Sequence, residues 1–358
     1  MVRASVRQVR IEVLEARRLQ PALGAGLLLA ALLSSLGHPA AGAPASSPPN
    51  SAISGSDPGA VSEEASLFAL PTTHDHIGRV VVATMVNGKG PYRFIVDTGA
   101  THSTVSPRLV EALGLQPSEM RSIVLDGITG TAQVSAVTLD RLQTGDLTLD
   151  QLVAPVVGTP VMAGADGILG AAGLTGRSLS VDFQRNLVRI SRGVDLAVRA
   201  EALRIHAAGL THGLMTLSMQ VGRVRGLALI DTGSERTLGN PALRDALKLR
   251  SRTGAAALVT SVYGATEQVE NGEIWRAPTI LIDTMRINDV QVVYGDFHIF
   301  KVWQMQDTPA LIVGMDVLGT VNSLAIDFRN EDVYFTSSRT NTMTFAPTGN
   351  LSSTLQKK

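Results

Sequence analysis

The chain has 358 residues, with 31 basic and 31 acidic side chains and no cysteine. That length accommodates two domains of ordinary size, each with its own core. The balanced charge, with no strong basic run, argues against a nucleic-acid partner. The lack of cysteine excludes disulfides, thiolate nucleophiles, cysteine-based zinc sites and a lipid-modified N-terminal cysteine.

Along the chain, residues 1–45 read first as an export signal. Arg3, Arg7, Arg10, Arg17 and Arg18 precede an apolar stretch over 22–36, and small residues follow over 40–45. A basic region, a short apolar region and an Ala-x-Ala site in that order form a secretory signal peptide. Pro44 disfavours cleavage after Ala43 and leaves Ala45 as the cleavage point. The expected location is therefore periplasmic or extracellular. An uncleaved N-terminal anchor is the alternative, although the apolar stretch is shorter than the ~20 residues a spanning helix needs. Residues 46–70, rich in Pro, Ser, Ala and Gly, read as a disordered linker, and residues 339–358 as a flexible polar tail.

Between them the chain repeats itself. The few aromatics (4%) and the abundant Val, Leu, Ile and Gly suit many short strands. A Val-rich strand over 79–86 ends at the turn pair Asn87-Gly88, and the apolar run Phe94-Ile95-Val96 leads into Asp97-Thr98-Gly99. A short helix follows over 107–115, with Pro107 at its start and Gly114 at its end. Sliding the chain by 134 positions lays Asp97-Thr98-Gly99 on Asp231-Thr232-Gly233 and Met85 on Met219. It also lays Pro107 on Pro241 and Gly130 on Gly264. Further on, Ile168-Leu169-Gly170 answers Ile312-Val313-Gly314, and Val181-Asp182-Phe183 answers Ile326-Asp327-Phe328. Two copies of one unit imply a pseudo-twofold pair of lobes, over 71–200 and 201–338.

One Asp-Thr-Gly is a weak signal. Two, each after an apolar strand and each answered downstream by apolar-apolar-Gly, resemble the aspartic peptidase superfamily. Asp97-Thr98-Gly99-Ala100 is similar to the retropepsin version and Asp231-Thr232-Gly233-Ser234 to the pepsin version. The resemblance covers about residues 76–338. It implies an all-β, bilobal fold with closed-barrel-like lobes and a site between them. It implies an endopeptidase without metal or other cofactor, acting on peptide or protein substrates. In that reading Asp97 and Asp231 share one proton and one water. One carboxylate takes a proton from the water while the other polarises the scissile carbonyl. Thr98 and Thr232 are expected to link the two loops beneath the site. Ile168-Leu169-Gly170 and Ile312-Val313-Gly314 are expected to pack behind them. Because both catalytic halves lie in one chain, the enzyme is expected to act as a monomer.

Ser234 carries a hydroxyl that can donate to its aspartate, and Ala100 carries none. One donor fewer predicts a pair that keeps its proton to higher pH than a pair with two. Thirty-three residues after each Asp lies a turn, Gly127-Ile128-Thr129-Gly130 in the first half and Tyr263-Gly264 in the second. Both are candidate flap tips over the substrate; the plainer reading is two ordinary hairpins. His74 and His76 share a strand face but lack further ligands for a metal. His102 lacks a serine or cysteine nucleophile to serve. Asp182 and Asp327 read as turn residues, and Trp275 and Trp303 as core.

Two other functions fit the same residues. A catalytically silent module would bind peptides without turning them over. A mainly self-processing protease would cut its own segment between Ala45 and Phe68.

Overall fold

A computed structural model describes residues 9–13, 70–71, 73–74, 78–115, 121–249, 258–337 and 342–343. The chain divides into two compact units, residues 1–15 with 67–358 and residues 16–66, and only the first contains described residues. Most of the leader and linker assignments therefore lie outside the described residues, as does nearly all of the tail. Within the leader segment, Val9–Val13 forms a strand paired antiparallel with Met285–Asn288. No described helix is long and apolar enough to cross a membrane.

The described chain is mostly strand, arranged in sheets of 12, 8 and 6 strands. The eight-stranded sheet belongs to the first lobe. Its inner strands Gly167–Gly170, Lys89–Asp97 and Val80–Val86 lie side by side, flanked by the long strand Gly130–Thr144. The twelve-stranded sheet repeats this in the second lobe, with Ala310–Val313, Val224–Ile230 and Leu214–Val221 adjacent. The expected closed barrels do not form among the described residues. The sheets remain open, and in the first lobe one parallel bridge, Val105 to Val156, draws edge strands together.

Local chemistry sets the elements. The turn between Val80–Val86 and Lys89–Asp97 is Asn87-Gly88, with φ of 50° and 73°, the left-handed pair that a two-residue hairpin needs. The helix Pro107–Leu113 starts on Ser106, whose hydroxyl accepts from Leu109 N–H, and ends on left-handed Gly114. Its counterpart Pro241–Ala246 starts on Asn240, which accepts from Leu243 N–H. With few aromatics, the first-lobe core is built mainly from Val and Leu and the second-lobe core from Val, Leu, Ile and Met. Each such side chain contributes roughly 1.5–3 kcal/mol when fully buried.

The six-stranded sheet joins the lobes. Ser178–Asp182 pairs antiparallel with Ser323–Asp327 so that Ser178 meets Asp327 and Asp182 meets Ser323. Exchanging the two halves of the repeat maps this pairing onto itself, as an isologous contact requires. Phe183 and Phe328, next along the chain, pack against both lobe cores. Asp182 and Asp327 accept the backbone N–H groups two and three residues on and so close tight turns.

Candidate active site

The two Asp-Thr-Gly loops meet where the lobes face each other. Thr98 Oγ1 donates to Ile230 O at 2.7 Å, and Thr232 Oγ1 donates to Val96 O at 2.7 Å. Each hydroxyl also accepts the other threonine's backbone N–H, at 3.1 and 3.2 Å. Four hydrogen bonds between buried groups thus cross the lobe boundary directly beneath the aspartates.

Each carboxylate is fixed by its own loop. Asp97 Oδ1 accepts from Gly99 N–H at 2.9 Å and Ala100 N–H at 2.8 Å. Asp231 Oδ1 accepts from Gly233 N–H at 2.8 Å and Ser234 N–H at 3.1 Å. The two carboxyls lie within hydrogen-bonding reach of each other. Gly99 lies against the Asp231 carboxyl and Gly233 against the Asp97 carboxyl, so closely that a Cβ at either would overlap the facing acid. Burial raises the pKa of Asp97. Burial, and then the charge of Asp97, raise that of Asp231 well above the usual value. The pair therefore binds its shared proton more tightly than isolated aspartates would.

The loops rest on the apolar-apolar-Gly strands. Ile168, Leu169 and Gly170 run parallel to Ile95, Val96 and Asp97. Ile312 and Val313 run parallel to Leu229 and Ile230, and Asp231 N–H donates to Val313 O. Gly170 and Gly314 pass so close to the backbone of His102 and Arg236 that no Cβ fits. Gly170 N–H donates to Ser103 Oγ and Gly314 N–H to Thr237 Oγ1, the same bond in both lobes. In the second lobe Thr237 also donates through N–H and hydroxyl to both oxygens of Asp316. Burial lifts the Asp316 carboxyl to a pKa of about 6.

Ser234 departs from expectation. Its hydroxyl donates to Arg236 O at 2.8 Å, and only its backbone N–H reaches Asp231. Both loops therefore give their aspartate the same two backbone donors, and the Ser/Ala difference adds none.

The two candidate flap hairpins meet tip to tip. Gly127 pairs with Gly130 around the turn residues Ile128 and Thr129. The second hairpin joins Leu258–Tyr263 to Val269–Arg276, with its tip at Gly264 to Gln268. Thr129 Oγ1 and Thr266 Oγ1 lie 3.1 Å apart, and Gln268 Nε2 donates to Thr131 O. Ala265 packs against the first-lobe cluster that includes Ile95 and Ile168, and Ile128 against the cluster around Phe297 and Ile312. His298 Nε2 joins Thr131 Oγ1 and Asp126 Oδ1, tying the first hairpin to the second lobe. Tyr263 is 56% exposed and stands short of the tip. With Gly264, Thr266, Gly158, Thr159 and Pro160 it lines a pocket of about 230 Å³. A larger recess, around Met85, Asp140, Arg141 and Asp150, lies away from the aspartates on the first lobe.

The other marked residues stand apart from this site. His102 is exposed beside the first loop, and Trp303 is buried against Phe300. Trp275 is half-buried and donates to Glu273. His76 lies outside the described residues. Among the described residues no three His, Asp or Glu side chains are grouped as a metal-ligand set. Sequence reasoning missed Thr237, Asp316, Thr266 and His298. Thr237 alone left a signal, since the 134-residue shift lays it on Ser103.

Paired Asp-Thr-Gly loops, linked through their threonines and backed by apolar strands, define an aspartyl protease. Residues 82–172 and 217–317, more than half of the chain, match the aspartyl protease family, and the chain belongs to that family. Each matched region contains one Asp-Thr-Gly loop and one apolar-apolar-Gly strand. No curated protein matches the chain.

Proposed function

We propose that the protein is an aspartic endopeptidase whose nucleophile is a water activated jointly by Asp97 and Asp231. The observation that carries this reading is the contact of the two carboxyls, each aimed by two backbone N–H donors. Two carboxylates this close share one proton rather than both ionise. The ionised member removes a proton from the water, and the hydroxide oxygen bonds to the scissile carbonyl carbon. The carbonyl oxygen takes the proton held by the other member. When the resulting diol collapses, the C–N bond breaks and the leaving nitrogen receives a proton from the pair. The substrate is an extended peptide held beneath the two hairpins, which must part to admit it. The raised affinity of the pair for its proton favours activity at mildly acidic rather than strongly acidic pH.

The test is cleavage of a mixed peptide library by the purified full chain, read by mass spectrometry over roughly pH 3 to 8. Asp97→Asn and Asp231→Asn are run alongside. Cleavage by the parent protein and by neither variant is expected. A folded parent that cuts nothing, or a variant that cuts as fast, overturns the reading.

A further inference from the structure

The two loops give their aspartates the same backbone donors, but the neighbouring strands do not offer the same side chains. In the first lobe Val81 pairs with Ile95 and Val82 with Phe94. Continued two residues toward the site, that register sets Arg79 across from Asp97. In the second lobe Thr216 pairs with Leu229, and the same continuation sets Leu214 across from Asp231. Arg79 is 2% exposed and Leu214 is 1% exposed. A buried arginine thus sits across from one aspartate, and a buried leucine sits at the matching place across from the other.

We propose that Arg79 is a positioning residue that fixes the negative charge of the pair on Asp97 and leaves the shared proton on Asp231. This inference rests on reading the two aspartates as the catalytic pair. Four groups face Asp97: the Asp231 carboxyl from the other lobe, the Gly99 and Ala100 N–H groups from its own loop, and Arg79 from the adjoining strand. Asp231 faces the Asp97 carboxyl and the Gly233 and Ser234 N–H groups. The sets differ at the adjoining strand, where the register places Arg79 across from Asp97 and Leu214 across from Asp231. A guanidinium stays protonated throughout the working range, so its attraction always favours the charged form of the nearer acid. Burial lifts both acids; the bonds from Asp231, Gly99 and Ala100 and then the Arg79 charge restrain the rise at Asp97, while the Asp97 charge lifts Asp231 further. In the reaction, Asp97 then takes the water proton, and Asp231 donates its proton to the carbonyl oxygen.

The test uses the full chain labelled with ¹³C at the Asp carboxyl carbon and titrated by NMR, so that it reads the carboxyls whether or not peptide is cut. In Asp231→Asn the lone Asp97 carboxyl is expected to titrate at least about one pH unit below the lone Asp231 carboxyl of Asp97→Asn. Adding Arg79→Gln to Asp231→Asn should raise the Asp97 midpoint by about one unit, and adding Arg79→Lys should leave it low. Where cleavage is measurable, Arg79→Gln should move the acidic limb of the kcat/KM profile upward by a similar amount, with a smaller move of the basic limb. Equal midpoints for the two lone carboxyls, or an Asp97 midpoint unmoved by Arg79→Gln, overturn the proposal. If Arg79→Gln fails to fold, the comparison of the two lone carboxyls decides alone. An absence of cleavage with unequal midpoints counts against the peptidase reading and leaves the charge assignment standing.

Discussion

Thr98→Val replaces a hydroxyl by a methyl of similar size and removes both bonds that hydroxyl makes. It leaves Ile230 C=O without its donor and Thr232 N–H without its acceptor. Thr98, Thr232 and Ile230 are at most 1% exposed, so water does not replace the lost partners. Each of the two orphaned buried groups costs about 1–3 kcal/mol, which puts the loss at about 2–6 kcal/mol. That is a large part of the 5–15 kcal/mol by which a domain is usually stable. Urea unfolding followed by circular dichroism should show a lower midpoint with an unchanged slope. Thr98→Ser keeps the hydroxyl and should recover all but about 0.8 kcal/mol, the worth of the missing methyl. Thr232→Val orphans Val96 C=O and Thr98 N–H in the same way and should match Thr98→Val. The double variant should lose less than the sum, because the loops separate once either half of the link is broken. If Thr98→Val loses under about 0.5 kcal/mol and equals Thr98→Ser, the crossed threonine link is not what joins the lobes.

Gly99→Ala and Gly233→Ala each place a Cβ against the partner aspartate's carboxyl. Displacement by about 1 Å costs on the order of 100-fold in rate, so either variant should cut peptides at about a hundredth of the parent rate or below. A variant above a tenth of the parent rate refutes the close approach. Asp316, with a folded pKa of about 6 against 3.8 when unfolded, binds its proton more tightly in the fold. Its stabilising contribution is complete below pH 3.8 and is lost as pH rises through 6. The swing is on the order of 3 kcal/mol. Asp316→Asn should therefore show a smaller fall in urea midpoint between about pH 4 and 7 than the parent does, and equal falls would refute the assignment.

The parts of this architecture legible in the sequence are those set by local chemistry. Asn87-Gly88 and Ser106-Pro107 state their turn and cap through residue type alone, and the doubled Asp-Thr-Gly announces two equivalent loops. What escaped depends on register and on partners distant in the chain. Arg79 reads as an ordinary polar residue at a strand start, since its burial follows from which strand lies beside it. Its counterpart is also concealed. A gapless shift of 134 lays Arg79 on Gly213. A register irregularity between Thr84 and Val86 in the first hairpin, with none recorded in the second, makes Leu214 the structural match instead. The Ser234 hydroxyl went astray for a similar reason: a carbonyl two residues on competes for it, and only geometry decides between the two acceptors. Barrel closure, too, depends on edge strands whose neighbours no local pattern specifies.

Symmetry sets a limit that a single chain can escape. Two identical subunits related by a twofold axis present identical groups to both aspartates, so the free pair has no built-in preference for which acid is charged. Here the supporting frame keeps the symmetry: crossed threonines, paired backbone donors, and matching Ser103 and Thr237 bonds to Gly170 and Gly314. The departures lie one layer out. Leu214 replaces Arg79, and Asp316 stands where the repeat has Ala172. Substitution in the frame itself would misplace both carboxyls at once, whereas a change one layer out alters the field at one acid and leaves its geometry intact. On the proposed reading, duplication within one chain separates the two requirements, with equivalent loops to hold the acids together and inequivalent neighbours to make one a base and the other an acid.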